Sequence, residues 1–308
     1  MEITRNNNHI RMEQFLGLAI LILPEEELEN LKQWTETNKQ FDIIQINNPT
    51  REAITRTQTQ GFIYKPQFLF WTMDTPQSEE EYFSLIGCGQ RKNFRVAIDY
   101  CRQAKIVSVQ ERELKKGSFE QWLPLYRQTI AQFDMGTCLV DESKYERDGP
   151  LLSGVFIFKN QEMLGGNIIQ RYEDGRFVAR FRGVHREYRH LSRFLDLKSI
   201  ELARQMGYPK FCLGTDPNLY GYHVSPGIYL YKKHLGLRPE PKRNYEPQSP
   251  DILERIIHFD KFGDLVFRLA YMQSEKYEGI LHFRGECRPT TVAEFKSPYI
   301  NSVRTFTM

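Results

Sequence analysis

Six arginines, Arg176, Arg180, Arg182, Arg186, Arg189 and Arg193, fall within 18 residues, with His185 and His190 among them and Glu187 the one acid between the first and the last. A guanidinium presents five donors in a fixed fork and stays charged, so this density at a strand-to-helix junction suits a polyanion, whether cofactor phosphates or a nucleic-acid backbone. A solvated basic face balanced by acids elsewhere is the plainer use of the same residues. Further along, Asp216 and His223 occupy a turn-rich stretch, followed by Tyr231-Lys232-Lys233-His234-Leu235-Gly236. Imidazole titrates near neutrality and can take a proton from an attacking group, although a lone loop Asp or His is more often a turn or cap residue. No G-x-S-x-G elbow, Walker loop or H-E-x-x-H is present, and His185 and His190 are not spaced to share a helical face as a metal pair. No metal is expected.

These groups need a frame. Val155–Phe158, Met163–Tyr172 and Phe177–Val184 read as three strands of an antiparallel meander, parted by the turns Lys159-Asn160-Gln161-Glu162 and Glu173-Asp174-Gly175-Arg176. A helix over 189–206 then stops at Gly207, and Lys210–Leu213 is a short strand. Ser225-Pro226 places an N-cap serine before a first-turn proline, so a second helix runs to about Leu235 and stops at Gly236. Upstream, strands are expected over Phe15–Leu23, Phe41–Ile46, Phe62–Met73 and Ile106–Glu111, with helices over 25–39, 78–104 and 118–133. Downstream, the proline-rich stretch 238–250 reads as a surface connection. Leu253–Phe259, Leu265–Gln273 and Tyr277–Arg284 read as closing strands, and the polar tail beyond Pro289 shows little pattern. The alternation gives a mixed α/β or α+β fold.

Composition narrows the classes. The 308 residues allow one large or two ordinary domains, and 13% aromatic content excludes intrinsic disorder. With 42 Lys+Arg against 39 Asp+Glu the net charge is +3, which argues against DNA and against any chain dominated by nucleic-acid phosphates. The longest apolar run, Phe15–Leu23, falls well short of the ~20 residues of a membrane span. Glu2 and Glu13 stand where a signal peptide is basic, so a cytoplasmic protein is expected. Cys88, Cys101, Cys138, Cys212 and Cys287 form no C-x-x-C pair and are expected to be reduced, mainly core residues.

The order meander, Val184-His185-Arg186-Glu187-Tyr188-Arg189, helix, strand, Tyr231-x4-Gly236-Leu237 resembles the GNAT superfamily of acyltransferases. Its first signature is V-x-x-x-Y-R followed by glycines. Val184, Tyr188 and Arg189 fit, while His190, Ser192 and Phe194 replace the glycines. In the second signature Leu230, Tyr231, Gly236 and Leu237 match, with Ser225 in place of the usual Asn and Ile228 in place of Ala. Gln90-Arg91-Lys92-Asn93-Phe94-Arg95-Val96-Ala97 is similar to a helical segment of tandem-GNAT proteins. Gly227-Ile228-Tyr229-Leu230-Tyr231-Lys232 is similar to an element of the Fem-type transferases, which use aminoacyl-tRNA. Together these motifs cover about residues 80–240.

The resemblance implies a tandem GNAT-like α+β fold with mixed, mostly antiparallel sheets flanked by helices: a degenerate amino-terminal domain over 1–115 and a catalytic domain over 116–308. It implies an N-acyltransferase that moves an acyl group from acyl-CoA to a primary amine, with no permanently bound cofactor. Tyr231 is nominated as general acid, with His223 and Asp216 as candidate bases. Val184, Arg186, Arg189, His190, Ser192, Arg193, Ser225 and Lys232 are nominated for the donor. On residue pattern alone Tyr231 is more often a packed helix tyrosine, and Lys232 is equally a solubilising lysine. Two alternatives remain: aminoacyl-tRNA as donor, and an inactive GNAT-like binding protein. Either a monomer or a homodimer is compatible with the sequence.

Overall fold

The protein is described by a computed structural model covering residues 10–15, 17–32, 34, 40–133, 138–272, 276–286 and 288–308. It has a mixed α+β fold and divides into two compact units. The first comprises the chain up to Phe70 with 215–231 and 239–308, and the second comprises 71–214 with 232–238. A single cut between 115 and 116 is therefore not how the chain divides. That position lies inside the second unit, and the carboxyl-terminal strands belong with the amino-terminal ones.

In the first unit, the apolar run expected as a strand supplies one, over Leu18–Ile22, and that strand is the second arm of a hairpin. Strands β1 (Arg11–Phe15) and β2 (Leu18–Ile22) turn at Gly17, whose φ of 91° lies in the left-handed region that glycine adopts without strain. β3 (Ile43–Asn47) lies parallel to β2, and the late strand β12 (Asp251–Ile256) inserts antiparallel between β3 and β4 (Ile63–Pro66). Leu21, Ile44, Ile46 and Leu253 form the core on one face, joined by Ala53 of helix α1 (Arg51–Thr57). The helix expected over 25–39 begins as a 3-10 turn, Glu25–Asn30, and residues 33 and 35–39 lie outside the described residues.

A second sheet of the same unit contains β13 (Leu265–Tyr271), β14 (Tyr277–Phe283) and β15 (Ile300–Thr307). The tail beyond Pro289 is thus not patternless. Helix α8 (Pro289–Phe295) makes the crossover that lets β15 lie parallel to β14. Asn218, fully buried, stitches β4 to β13: its Nδ2 donates to the carbonyls of Pro66 (3.0 Å) and Leu269 (2.7 Å), and its Oδ1 accepts from the Leu269 N–H (2.8 Å). A side-chain amide here stands in for missing ladder bonds.

The second unit is built on a sheet of order β11-β5-β10-β9-β8-β7-β6. Its members are β5 (Phe68–Asp74), β6 (Val107–Glu111), β7 (Leu152–Lys159), β8 (Glu162–Arg171), β9 (Arg176–Val184), β10 (Lys210–Pro217) and β11 (Arg238–Pro241). The expected meander is β7-β8-β9, and its first turn places Asn160 and Gln161 at φ 50° and 70°. The helix expected over 78–104 is two, α2 (Glu79–Leu85) and α3 (Cys88–Gln103), broken where Ile86 is extended before Gly87. Helix α4 (Lys116–Ile130) packs Trp122 among Phe156, Ile168 and Phe181, and the indole donates to the Gly166 carbonyl at 3.0 Å. Helix α5 (Glu142–Asp148) follows it in the chain. Gly183 of β9 lets α4 approach: a Cβ there would stand 2.6 Å from the Tyr126 nitrogen, a backbone atom with no freedom to move aside. Helix α6 (Ser192–Gln205) belongs to this unit and ends at Gly207, at φ 74°, as expected, while most of helix α7 (Pro226–His234) belongs to the first.

Candidate active site

β10 runs parallel to β9, but the ladder holds three pairs, Lys210↔Arg176, Phe211↔Phe177 and Cys212↔Val178. β9 continues to Val184 with no further β10 partner among the described residues, so the two strands part after Val178. β9 also bulges. Ile168 of β8 pairs with Phe181 and Ile169 with Ala179, leaving Arg180 unopposed, and such a bulge bends and twists its strand locally. Parted parallel strands leave main-chain donors and acceptors open to an extended ligand that can complete the ladder.

The arginine cluster divides by what each guanidinium touches. Arg176 is buried on Asp174 at 2.7 Å, and Arg182 pairs with the fully buried Asp196 while its Nε donates to Asn167 Oδ1 at 2.9 Å. Asn167 in turn donates to Ser199 Oγ (3.0 Å), which donates to the Leu195 carbonyl (2.8 Å). Arg193 lies over the Phe94 ring at 5.8 Å, and Arg180 donates to Gln170 and Tyr172. Arg186 and Arg189 remain exposed, the latter hydrogen-bonded to Gln132, and His190 is exposed edge-on to Tyr100. Most of the cluster is thus engaged in holding β9 and α6, and Arg186 with Arg189 is its solvent-facing part.

The phosphate-loop position also differs from expectation. The helix does not start at 189: a 3-10 turn, Arg186–Leu191, kinks at Tyr188 and runs straight into α6, so the Ser192 N–H already bonds the Arg189 carbonyl. The first-turn amides of an isolated helix would be open to an anion. Here Ser192 is not. Val184 is likewise engaged, its N–H donating to Thr129 Oγ1 (3.0 Å) while that hydroxyl reaches the Val184 carbonyl (3.2 Å).

The candidate acid–base residues belong to the first unit. Asp216 lies in β10 rather than in a loop. It is buried, and its Oδ2 accepts from the Tyr220 hydroxyl at 3.2 Å. His223 occupies the following turns with Nδ1 buried and without a hydrogen-bond partner among the described residues, and burial pushes its pKa below the ordinary imidazole value. α7 begins at Pro226 directly after the exposed Ser225, as expected. Tyr229 is the core tyrosine of this helix, stacked on Phe295 and against Phe267, with its hydroxyl donating to the Phe295 carbonyl (3.3 Å). Tyr231, two residues on, is half-buried. Lys232, in the second unit, is buried over the Trp71 ring at 5.9 Å, so it is not a solubilising lysine.

Sequence reading missed Asp196, Asn167 and Thr129. Asp196 carried a signal: a carboxylate inside the apolar helical run Phe194-Leu195-Asp196-Leu197 must be paired once buried. Thr129 and Asn167 carried none. Cys101 and Cys212 are buried, but Cys88 and Cys138 are exposed, so the core role expected of cysteine holds for two of the four described; Cys287 lies outside the described residues. Among the described residues no group of three or more His, Cys, Asp or Glu side chains is placed to hold a metal, and no helix is long and apolar enough to cross a membrane.

Neither a protein-family model nor a curated protein matches the chain. Solved structures do. FemX is 10% identical over 83% of this chain and 87% of its own, with a TM-score of 0.46. The carboxyl-terminal domain of a putative lysylphosphatidylglycerol synthetase from Agrobacterium fabrum is 11% identical over 80% and 79%, with a TM-score of 0.44. A tandem GNAT protein from the clavulanic acid biosynthesis pathway is 10% identical over 76% and 68%, with a TM-score of 0.36. They include both types of protein whose motifs the sequence resembles; at these values the likeness is one of fold and carries no activity with it.

Proposed function

We propose that the protein is an N-acyltransferase that takes an acyl group from acyl-CoA and delivers it to a primary amine. The observation that carries this reading is the parting of β9 from β10 after the Val178–Cys212 pair, next to a bulged β9. An extended donor chain with amide groups completes such an open ladder, and its phosphates have Arg186 and Arg189 as exposed cations at the far end of β9. Direct attack by a neutral amine forms the C–N bond and breaks the thioester C–S bond. Tyr231 supplies the proton to the leaving thiolate, and His223, held neutral by its burial, or Asp216 receives the amine proton. Arg193, His190, Ser192, Ser225 and Lys232 are assigned to lining and positioning around the donor.

A second donor, aminoacyl-tRNA, is favoured by one observation. The 3-10 turn that runs into α6 already bonds the Ser192 amide, so a pyrophosphate has less to hold at that point. Thermal-shift measurement with a panel of acyl-CoAs, followed by mass spectrometry of candidate amines, separates the readings. Stabilisation by a thioester that is then consumed supports the first. Indifference to every thioester together with binding of charged tRNA supports the second, and binding of either without turnover supports a binding protein.

A further inference from the structure

The first unit holds a cavity of about 810 Å³, within the range of small-molecule sites, lined by α1, β4, β12 and the β13-β14-β15 sheet and open on one side to solvent. Most of its wall is apolar, including Ile54, Phe62, Ala270, Ile280 and Phe306. Its polar wall carries Arg268, buried to 2% exposure in a network of ions. Glu254 accepts from Arg268 at 3.1 Å and from Lys65 at 2.9 Å, so two buried cations share one carboxylate. His282, which receives the other end of the guanidinium at 2.7 Å, is neutral: burial and Arg268 push its pKa down to about 3. A surplus of one positive charge is therefore buried beside the cavity, and the Arg268 Nε is buried with no hydrogen-bond partner among the described residues. The two tyrosines and the one acid of the lining are engaged. Tyr64 and Tyr271 donate to Asp251, while Glu278 pairs with Arg304 at 2.7 Å.

We propose that this cavity binds an amphipathic monocarboxylate, its carboxylate on the Arg268 guanidinium and its apolar body against Ile54, Phe62, Ile280 and Phe306. One uncompensated cation matches a single negative charge, and an unmet guanidinium N–H matches a carboxylate oxygen. A dianion such as phosphate brings a second negative charge that the single surplus cation does not balance, since Arg304 is already paired with Glu278. The site is separate in its residues from the acyl-transfer reading, because none of those that line it is a candidate for catalysis or donor binding.

Calorimetric titration of the full chain near neutral pH tests this with sodium decanoate below its micelle concentration, decan-1-ol and inorganic phosphate. The expected result is one decanoate per chain, bound about ten-fold or more tighter than the alcohol, the contribution of a charge-assisted hydrogen bond, with no saturable binding of phosphate. Ala270→Leu, which fills the cavity from its wall, abolishes decanoate binding while keeping the melting temperature. Phe306→Ala, at the partly exposed apolar end, weakens binding and keeps the fold even where Ala270→Leu does not. Equal binding of decanoate and decanol, phosphate binding as tight as decanoate, no binding of decanoate, or decanoate binding unchanged by Phe306→Ala overturns the proposal.

Discussion

Inside the first unit the guanidinium of Arg268 donates to Nε2 of His282 at 2.7 Å. Arginine offers no acceptor, so this contact fixes the imidazole as the tautomer protonated on Nδ1 and leaves Nε2 no room for a proton. The ring is held between Phe259 and Phe306, at centroid distances of 5.0 and 5.1 Å. The consequence is a pH-dependent stability. The folded state keeps His282 neutral down to about 3, whereas the unfolded chain takes up the proton near the ordinary value of about 6.5. The unfolded state therefore binds more protons between these values: the contribution is fully present above about pH 6.5 and is lost as pH falls towards 3. Discounted for the ring's residual exposure, the loss between neutrality and about pH 5 is about 1 to 2 kcal/mol. His282→Gln keeps an acceptor for Arg268 without titrating, and its urea-denaturation midpoint should vary less with pH over that window than that of the parent.

The ion network gives an ordering of mutant effects. Lys65→Met removes one of two cations and leaves Glu254 and Arg268 balanced, at the cost of the 2.5 Å bond from Nζ to the Asn218 carbonyl. Glu254→Gln leaves Lys65 and Arg268 buried together with no carboxylate between them. Breaking a buried pair so that charge is left unmatched costs about 3 to 5 kcal/mol, whereas losing one hydrogen bond to a charged group costs about 1.5 to 3. Chemical denaturation should rank Glu254→Gln as the more damaging, and equal or reversed losses contradict the charge assignment.

What the sequence made legible follows the range of the forces involved. The meander β7-β8-β9, the caps at Gly207 and Gly236 and the start of α7 at Pro226 are set by residues close in the chain, and each appears where local pattern placed it. β15 and the insertion of β12 between β3 and β4 depend on partners far away in sequence, and no local pattern marks them. The same limit applies within the site. The density of Arg176–Arg193 was visible, but the division of labour within it was not, because Asp196 and Gln132 reach those arginines only through the fold.

That division is testable. Arg182 is bound to the buried Asp196, so Arg182→Ala strips a buried carboxylate of its partner and should lower the unfolding free energy by about 3 to 5 kcal/mol, while Asp196→Asn leaves the partly exposed guanidinium and should cost less, about 1.5 to 3 kcal/mol. Arg189→Ala removes an exposed side chain and should change stability by about 0.5 kcal/mol or less. If the exposed arginines serve a phosphorylated donor, Arg189→Ala should weaken that donor's binding about ten-fold with an unchanged melting temperature. Loss of stability in Arg189→Ala, or none in Asp196→Asn, contradicts the assignment.

Tyr229 and Tyr231 lie on one short helix and should answer differently to the same substitution. The Tyr229 hydroxyl donates to the Phe295 carbonyl within the core, and burial raises its pKa well above the ordinary phenol value, so it is a weaker acid whose proton is already engaged. Tyr229→Phe should cost about 1 kcal/mol of stability and leave kcat unchanged. Tyr231 is half-buried. If it is the general acid for the departing thiolate, Tyr231→Phe should lower kcat about 100-fold while KM and melting temperature hold. If His223 is the base, it supplies the complementary limb. Its pKa is lowered by burial, so kcat/KM should stay level through neutrality and fall only as pH drops below the ordinary imidazole value, where the ring takes up a proton and can no longer accept one from the amine. His223→Gln should remove that acidic limb together with most of the rate. A pH profile of unchanged shape in His223→Gln transfers the base role to Asp216 or to water, and full kcat in Tyr231→Phe removes the tyrosine from the mechanism.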